Sequence, residues 1–363
     1  MKRALFITYN NIFQNNTGGT QGSLRNFKLL SKSFDTDFYL IESSKQAKLI
    51  SLFLLYFPPF TYVNKKKIDR MLAENSYDLI FFDSSTFGVL QHYVKKKYNV
   101  KTISFFHNVE YDFISARFGE KLIKYPYLFL AWYNEKLALR YSSLTIALSH
   151  RDENRIVEIY GKKPDFIIPV TFEDELSPVK VANVPDGNMP KSPYCLFVGS
   201  MARANYEGIK WFILHVADHI KGADIVVVGK GFEQKKDELS RPNVKVIGTV
   251  DNLSDYYNRA ACVISPLFDG AGMKIKIAEA LMYGRTIFGT KESFEGYDTT
   301  DKTATVICES AIDFTQEINH FLESENRLGY NINSRLLYEK SYSSATAEAI
   351  FSNILTSNLL DEY

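Results

Sequence analysis

The sequence predicts an α/β protein made of two doubly wound domains, and three observations carry that prediction. Twelve short apolar runs recur along the chain, each followed by a polar turn and a helix-spaced segment. The runs fall into two sets separated by a proline-rich stretch. The chain has 363 residues, more than a single core usually serves.

Taken in order, the first set is "ALFIT", "DFYLIE", "DLIFFD", "KTISFFH", "LTIALS" and "FIIPV". The second set is "CLFVG", "DIVVVG", "VKVIG", "CVISP", "TIFGT" and "ATVIC". Continuous Val, Ile, Leu and Phe runs are what strands buried on both faces of a parallel sheet require. Between the sets lies "EDELSPVKVANVPDGNMPKSP", residues 173–193, with four prolines and little periodicity, which reads as a linker. The expected organisation is a first Rossmann-like domain over 1–172 and a second over 194–335. The helix-spaced tail over 336–363 is expected to pack back towards the first domain. Ligands of open α/β sheets sit beyond the carboxyl ends of the strands, so two such domains facing each other would enclose a central cleft.

Composition narrows the class. With 45% apolar and 14% aromatic residues, the chain can fill two cores. Its three cysteines, Cys195, Cys262 and Cys308, each sit inside an apolar run, which favours buried reduced thiols over bridges or metal ligands. The opening "MKRALFITYN" is too short in apolar residues for a signal peptide and reads as the first strand. No stretch approaches the ~18 apolar residues of a membrane span. These features predict a cytoplasmic protein. The net charge of +1 conceals an asymmetry: Lys+Arg minus Asp+Glu is 24 − 15 = +9 over residues 1–170 and 19 − 27 = −8 over 171–363. One half is therefore suited to an anionic surface.

The chemistry is concentrated in "SPLFDGAGMKIKIAEALMYGRTIFGT", residues 265–290. "CVISP" ends a strand, "FDGAG" makes a turn, and "KIKIAEALMYG" reads as a helix closed by Gly284. A helix starting from such a turn aims backbone N–H groups and a partial positive charge at its ligand. Lys276 and Glu279, three apart, share a helix face: the lysine suits phosphate oxygens and the carboxylate suits a diol such as ribose. Spacing alone equally allows an ordinary exposed Lys/Glu pair.

The ordered set of motifs resembles the retaining glycosyltransferases of the GT4 type, with the GT-B fold. "GAGMKIKIAEALMYGRTIFGTKESFEG" resembles the family's C-terminal signature, and "FVGSMARANYEGIKWF" the opening of its second domain. "DIVVVGKG" and "VKVIGTVDNLSDYYNRAACVISP" resemble its middle. In the first half, "NNTGGTQGSLRNFKLLS" is similar to the N-terminal Gly-Gly loop, "FFHNVEYDF" to the histidine segment, and "ALSHRDENRI" to the strand end before the linker. The resemblance implies that Glu279 holds the nucleotide ribose. It implies that Lys276 and the backbone of Gly270, Ala271, Gly272 and Met273 contact the diphosphate and sugar. Gly18 and Gly19 match the turn approaching the donor phosphate, and His107 the histidine that hydrogen-bonds the transferred sugar. Two positions depart from the family pattern. A second glutamate common in the family is replaced by Ala271, with Asp269 as the candidate substitute. After "FVGS", Arg203 matches the family's arginine, but Asn205 stands near the position of its lysine, leaving Lys274 or Lys276 to neutralise the diphosphate.

The resemblance implies a nucleotide diphosphate sugar as co-substrate, no metal and no carboxylate nucleophile. Other motifs carry less. Asp35 and Asp37 read as a solvated turn rather than a metal site, and His215 with His219 as a helix-surface pair without a third ligand. "VVVGKGF" lacks the third glycine of a dinucleotide fingerprint. "KLISLFLLYFPPFTY" and "KLIKYPYLFLAWYNEKLALRY" are aromatic, lysine-flanked stretches in the basic half. They read mainly as core helices, with some residues available to an anionic membrane interface. The leading expectation is transfer of a sugar to a lipid-linked glycan, with no nucleic-acid partner and possible peripheral attachment at the inner membrane face. A sugar-nucleotide epimerase of the same fold and a non-catalytic nucleotide-binding partner subunit are the alternatives.

Overall fold

Each of the twelve apolar runs forms a strand. The computed structural model describes residues 2–13, 18–42, 48–174, 193–270, 272–324 and 330–356. Most of the linker expected over 173–193 lies outside the described residues. The chain divides into two compact units, Met1–Val170 with Ala347–Tyr363, and Thr171–Thr346.

The first unit contains β1 (Arg3–Thr8), α1 (Gly18–Ser31), β2 (Asp35–Leu40), α2 (Lys48–Phe53), α3 (Tyr62–Glu74), β3 (Leu79–Phe82), α4 (Gly88–Tyr98), β4 (Lys101–Phe106), α5 (Glu110–Phe118), α6 (Lys124–Tyr141), β5 (Leu144–Ala147), α7 (His150–Tyr160) and β6 (Phe166–Ile167). The strands form one sheet in the order β2-β1-β3-β4-β5-β6. Every pairing is parallel. Burial of β1 and β3 is continuous rather than alternating, because helices cover both faces. Phe6 on β1 stacks on Phe81 of β3 at 5.2 Å. Each such buried side chain contributes about 1.5–3 kcal/mol.

The second unit contains β7 (Tyr194–Val198), α8 (Arg203–His215), β8 (Asp224–Val228), α9 (Lys236–Leu239), β9 (Val244–Gly248), α10 (Ser254–Arg259), β10 (Cys262–Ser265), α11 (Ile275–Met282), β11 (Ile287–Gly289), β12 (Thr305–Ile307), α12 (Ala311–Glu323) and α13 (Ile332–Ser341), followed by α14 (Ser344–Thr356). Its parallel sheet runs β12-β11-β10-β7-β8-β9. All three cysteines are free and buried, with Cys195 opposite Cys262 in the β7–β10 register. In the C-terminal segment the boundary between units falls inside α14, between Thr346 and Ala347. Buried Tyr338 ties α13 to the second unit by donating to the Phe172 carbonyl at 2.9 Å. From Ala347 onward α14 belongs to the first unit, where Phe351 lies 6.4 Å from Phe81.

In both sheets the strand order reverses at one place, between β1 and β3 in the first and between β7 and β10 in the second. At a reversal the connections leave on opposite faces and open a crevice beyond the strand ends, where ligands of such folds sit. Among the described residues no helix is long and apolar enough to cross a membrane.

Candidate active site

In the second unit, the loop after β10 crosses the switch point and enters α11. Gly270 has φ 150° and Gly272 φ 70°, values that a side chain would strain, so the turn needs glycine at both places. Ala271 lies outside the described residues. Met273 is buried, and Lys274 occupies the N-cap of α11 without giving its first turn a side-chain acceptor. The N-terminus of this helix therefore retains its positive end for a ligand.

The two lysines of the loop have different partners. Lys274 Nζ donates to Glu292 Oε1 at 2.5 Å and to the Gly272 carbonyl at 2.9 Å. Lys276 Nζ donates to a neutral acceptor, Asn205 Oδ1, at 2.8 Å, and lies 4.3 Å from the centre of the Phe197 ring. Burial lowers the pKa of Lys276 to about 7, Glu279 opposing the shift and Lys274 adding to it. Asn205, which stands near the position of the family's lysine, is thus the partner that aims Lys276. Its amide is fixed by donating to the Ser200 carbonyl at 2.9 Å and by packing on Gly199, where a Cβ would lie 2.9 Å from it.

Glu279, one turn along α11, is half-buried and accepts from Tyr257 Oη at 3.1 Å. Tyr257 is itself fully buried and stacked on Tyr283 at 4.9 Å, which holds the carboxylate on one side of the helix. Arg203 and Asp269 meet in an exposed ion pair of 2.5 Å. Such a pair is worth about 0–1 kcal/mol and opens readily to a ligand.

The first unit brings a second group together at its own switch point. His107 follows β4, and its Nε2 lies 2.9 Å from Asp83 Oδ1 at the end of β3. Asp83 is buried and also accepts from Thr8 Oγ1 at 2.9 Å and Asn26 Nδ2 at 2.8 Å. Burial pushes its carboxyl pKa up, but the pull of His107, its hydrogen bond, and those of Ser23 and Asn26 outweigh burial and hold it below the usual range. An ionised Asp83 makes Nε2 the donor and leaves Nδ1 of His107 for another partner. The loop after His107 is fixed from beneath by buried Glu135 of α6. This carboxyl accepts from the Glu110 and Tyr111 N–H groups at the start of α5, at 2.9 and 3.2 Å, and from Tyr160 Oη at 2.6 Å. Burial raises the Glu135 pKa to about 7 in spite of these bonds. Gly18 and Gly19 open α1, and the Gly19 carbonyl lies 3.5 Å from Asn10 Nδ2.

The structure therefore groups Arg203, Asp269, Gly270, Gly272, Met273, Lys274, Lys276 and Glu279 in the second unit, and His107, Gly18 and Gly19 in the first. Sequence reasoning missed Asp83, Asn26, Glu135, Tyr257 and Glu292. A polar residue ending a buried strand, as in "LIFFD", is the one signal that could have drawn attention to Asp83. Asp37 pairs with Arg3 and Tyr77 at 2.8 and 2.6 Å. Among the described residues no three His, Cys, Asp or Glu side chains are grouped as metal ligands.

The sequence of the second unit matches the family model "Glycosyl transferases group 1" over residues 192–324. That of the first matches "Glycosyltransferase Family 4" over residues 34–169. No curated protein matches the sequence significantly. The fold is similar to that of sucrose-phosphate synthase from Thermosynechococcus elongatus, with a TM-score of 0.73, 14% identity and 98% of each chain covered. It is also similar to HepE from Anabaena, solved with UDP-glucose, with a TM-score of 0.68, 14% identity, and 98% of this chain and 100% of that one covered. WaaG, a glycosyltransferase involved in lipopolysaccharide biosynthesis, gives a TM-score of 0.66 at 14% identity over 98% of this chain and 100% of its own. With a family match in each unit and the paired six-stranded parallel sheets of the GT-B fold, the chain belongs to the GT4-type glycosyltransferases.

Proposed function

We propose that this glycosyltransferase is a retaining, metal-independent hexosyltransferase. Its donor is a nucleoside diphosphate sugar and its acceptor a lipid-linked glycan in surface polysaccharide or glycolipid synthesis. The observation that carries the donor reading is Lys276, a buried ammonium beside the N-terminus of α11 whose hydrogen-bond partner is a neutral amide. Burying a cation without a carboxylate in direct contact is costly, and a diphosphate would supply the missing anion.

In this reading the ribose hydroxyls donate to Glu279, and the Gly270–Met273 backbone contacts the diphosphate and sugar. As the bond between the sugar's anomeric carbon and the diphosphate oxygen breaks, negative charge grows on that oxygen. Lys276 and the first-turn N–H groups of α11 stabilise it there, fixed in place before the reaction. The acceptor hydroxyl passes its proton to the leaving phosphate while its oxygen bonds to the same face of the anomeric carbon. Configuration is retained, and no protein carboxylate takes part in bond formation. His107, with Nε2 committed to Asp83, has Nδ1 for a hydroxyl of the transferred sugar. Arg203 opens from Asp269 to reach phosphate, and Asp269 turns to the sugar. Gly18 and Gly19 allow the first unit's backbone to approach the donor. The UDP and UDP-glucose complexes of HepE make uridine nucleotides the first to try.

Thermal shift against a panel of nucleotides and nucleotide sugars, with and without EDTA, tests the reading. A donor at about 100 times its dissociation constant adds roughly 2.7 kcal/mol. Stabilisation by diphosphates of one base, unchanged by EDTA, is expected; no response to any nucleotide would remove the donor assignment.

A further inference from the structure

Lipid-linked acceptors lie at a bilayer, and the first unit has a surface whose chemistry fits one. α6 carries its core residues Leu128, Leu130, Ala131, Asn134, Glu135, Ala138 and Leu139 on one side. The opposite side presents Tyr125, Phe129, Trp132 and Tyr133, at helical spacing, and ends in the exposed cations Lys136 and Arg140. Phe129 is 50% exposed, and in the turn before α6 Leu122 is 79% and Ile123 60% exposed. A second segment, nearly seventy residues earlier, reaches the same helix. The Leu55 carbonyl accepts from Asn134 Nδ2 at 2.9 Å, and Phe57 packs on Ile114, Leu128 and Ala131. The same segment carries Phe53, 82% exposed, and Leu54, 47% exposed. Along α6, a groove of about 620 Å³ is lined by Tyr111, Tyr125, Phe129, Trp132 and Ile159, with Arg155 also on its wall.

Charge decides what this surface suits. From Arg117 to Arg140 it bears Arg117, Lys121, Lys124, Lys136 and Arg140 against one exposed acid, Glu120. Lys124 Nζ lies 5.7 Å from the Tyr125 ring centre and Lys136 Nζ 4.7 Å from that of Trp132. Exposed aliphatic side chains, Tyr and Trp, and cations on one surface are the groups that acyl chains, the interface and anionic headgroups respectively take up. From this arrangement we infer that the turn 119–123 and the exposed side of α6 form the surface by which the first unit docks on an anionic lipid bilayer. The inference rests on the proposal that the acceptor is lipid-linked, and it identifies the residues that meet the bilayer.

Co-sedimentation with vesicles of phosphatidylglycerol and phosphatidylcholine in equal parts, compared with phosphatidylcholine alone, tests it. The wild type binds the anionic vesicles preferentially. The double variant Leu122→Ser/Ile123→Ser lowers that partition by roughly a hundredfold, the equivalent of two large apolar side chains withheld from the interface. Lys121→Glu/Lys124→Glu abolishes the preference for anionic lipid. Ile312→Ser, at a residue 66% exposed in the second unit, binds as the wild type does. Unchanged thermal midpoints show that the variants are folded. Equal binding to both vesicle types, or wild-type binding by Leu122→Ser/Ile123→Ser, overturns the inference. So does a change in that variant's oligomeric state by size exclusion, which would make the surface a contact between copies. Nucleotide-induced thermal shift is read separately: its loss with vesicle binding intact strikes the donor assignment alone.

Discussion

Asp83 in the first unit and Lys276 in the second are both buried charges at the point where a sheet reverses its strand order, yet their surroundings differ. Asp83 receives hydrogen bonds from Thr8, Asn26 and His107. Its charge is stabilised by the fold itself, and the fold depends on it. Lys276 has a neutral amide and an aromatic ring, and its pKa is lowered to about 7. Its charge is left for a ligand to complete. Burial alone does not mark a binding group. What marks it is a charge whose partners inside the protein fall short of its desolvation.

The largest test of that contrast is Asp83→Ala. It leaves Thr8, Asn26 and His107 facing a void and is expected to cost about 3 kcal/mol of stability, read as a lowered denaturation midpoint. Lys276→Met is expected to do the reverse. The unliganded midpoint holds or rises, while affinity for the nucleoside diphosphate falls about a hundredfold, or roughly 2.7 kcal/mol, measured by titration calorimetry. A loss of fold in Lys276→Met together with a stable Asp83→Ala would reverse the roles assigned to the two charges.

A third expectation concerns pH. The pKa of Lys276 in the free protein is depressed to about 7, and a bound diphosphate would raise it, so binding above that pH takes up a proton. Affinity is therefore highest below about pH 7 and falls as pH rises, by at most about tenfold per unit. The neighbouring titratable groups are Glu279, which opposes the depression, and Lys274, which adds to it. Lys276→Met should flatten the profile. The same shift means that Lys276 opposes folding while it is charged. That cost is full below about pH 7 and relaxes as pH rises from there towards the ordinary lysine range. Asn205→Ala, which removes the amide that aims the lysine, is expected to weaken diphosphate binding by about 1 kcal/mol, close to fivefold. Arg203→Ala breaks only an exposed ion pair, and the unliganded stability should change by no more than about 0.5 kcal/mol.

Much of the fold was legible in the sequence, because a strand buried on both faces must be a continuous apolar run. "DIVVVG" and "CVISP" can hardly be read otherwise. The glycine turn and the Lys276–Glu279 pair were legible too, since their geometry is local to one helix. What could not be read depends on residues far apart in the chain. Asp83 becomes a binding partner for His107 only when β1, β3 and β4 lie side by side, bringing Thr8 and His107 to the same strand ends. Glu135 is an ionisable residue on the core side of α6, and nothing in its spacing shows that it closes the start of α5. Asn205 looked like a departure from the family pattern until it proved to hold Lys276. The apolar stretch over 121–141 reads in the sequence mainly as core, which holds for Leu128, Leu130 and Ala131. Composition could not separate these from Leu122, Ile123 and Phe129, which face outwards.

The most direct measurement is titration of UDP, ADP and GDP in turn into the wild type and Lys276→Met, below and above pH 7, with circular dichroism on both proteins. One diphosphate is expected to bind the wild type, more tightly at the lower pH, and Lys276→Met to lose about two orders of magnitude in affinity while remaining folded. Wild-type affinity in Lys276→Met, or affinity that rises with pH, would contradict that role for Lys276.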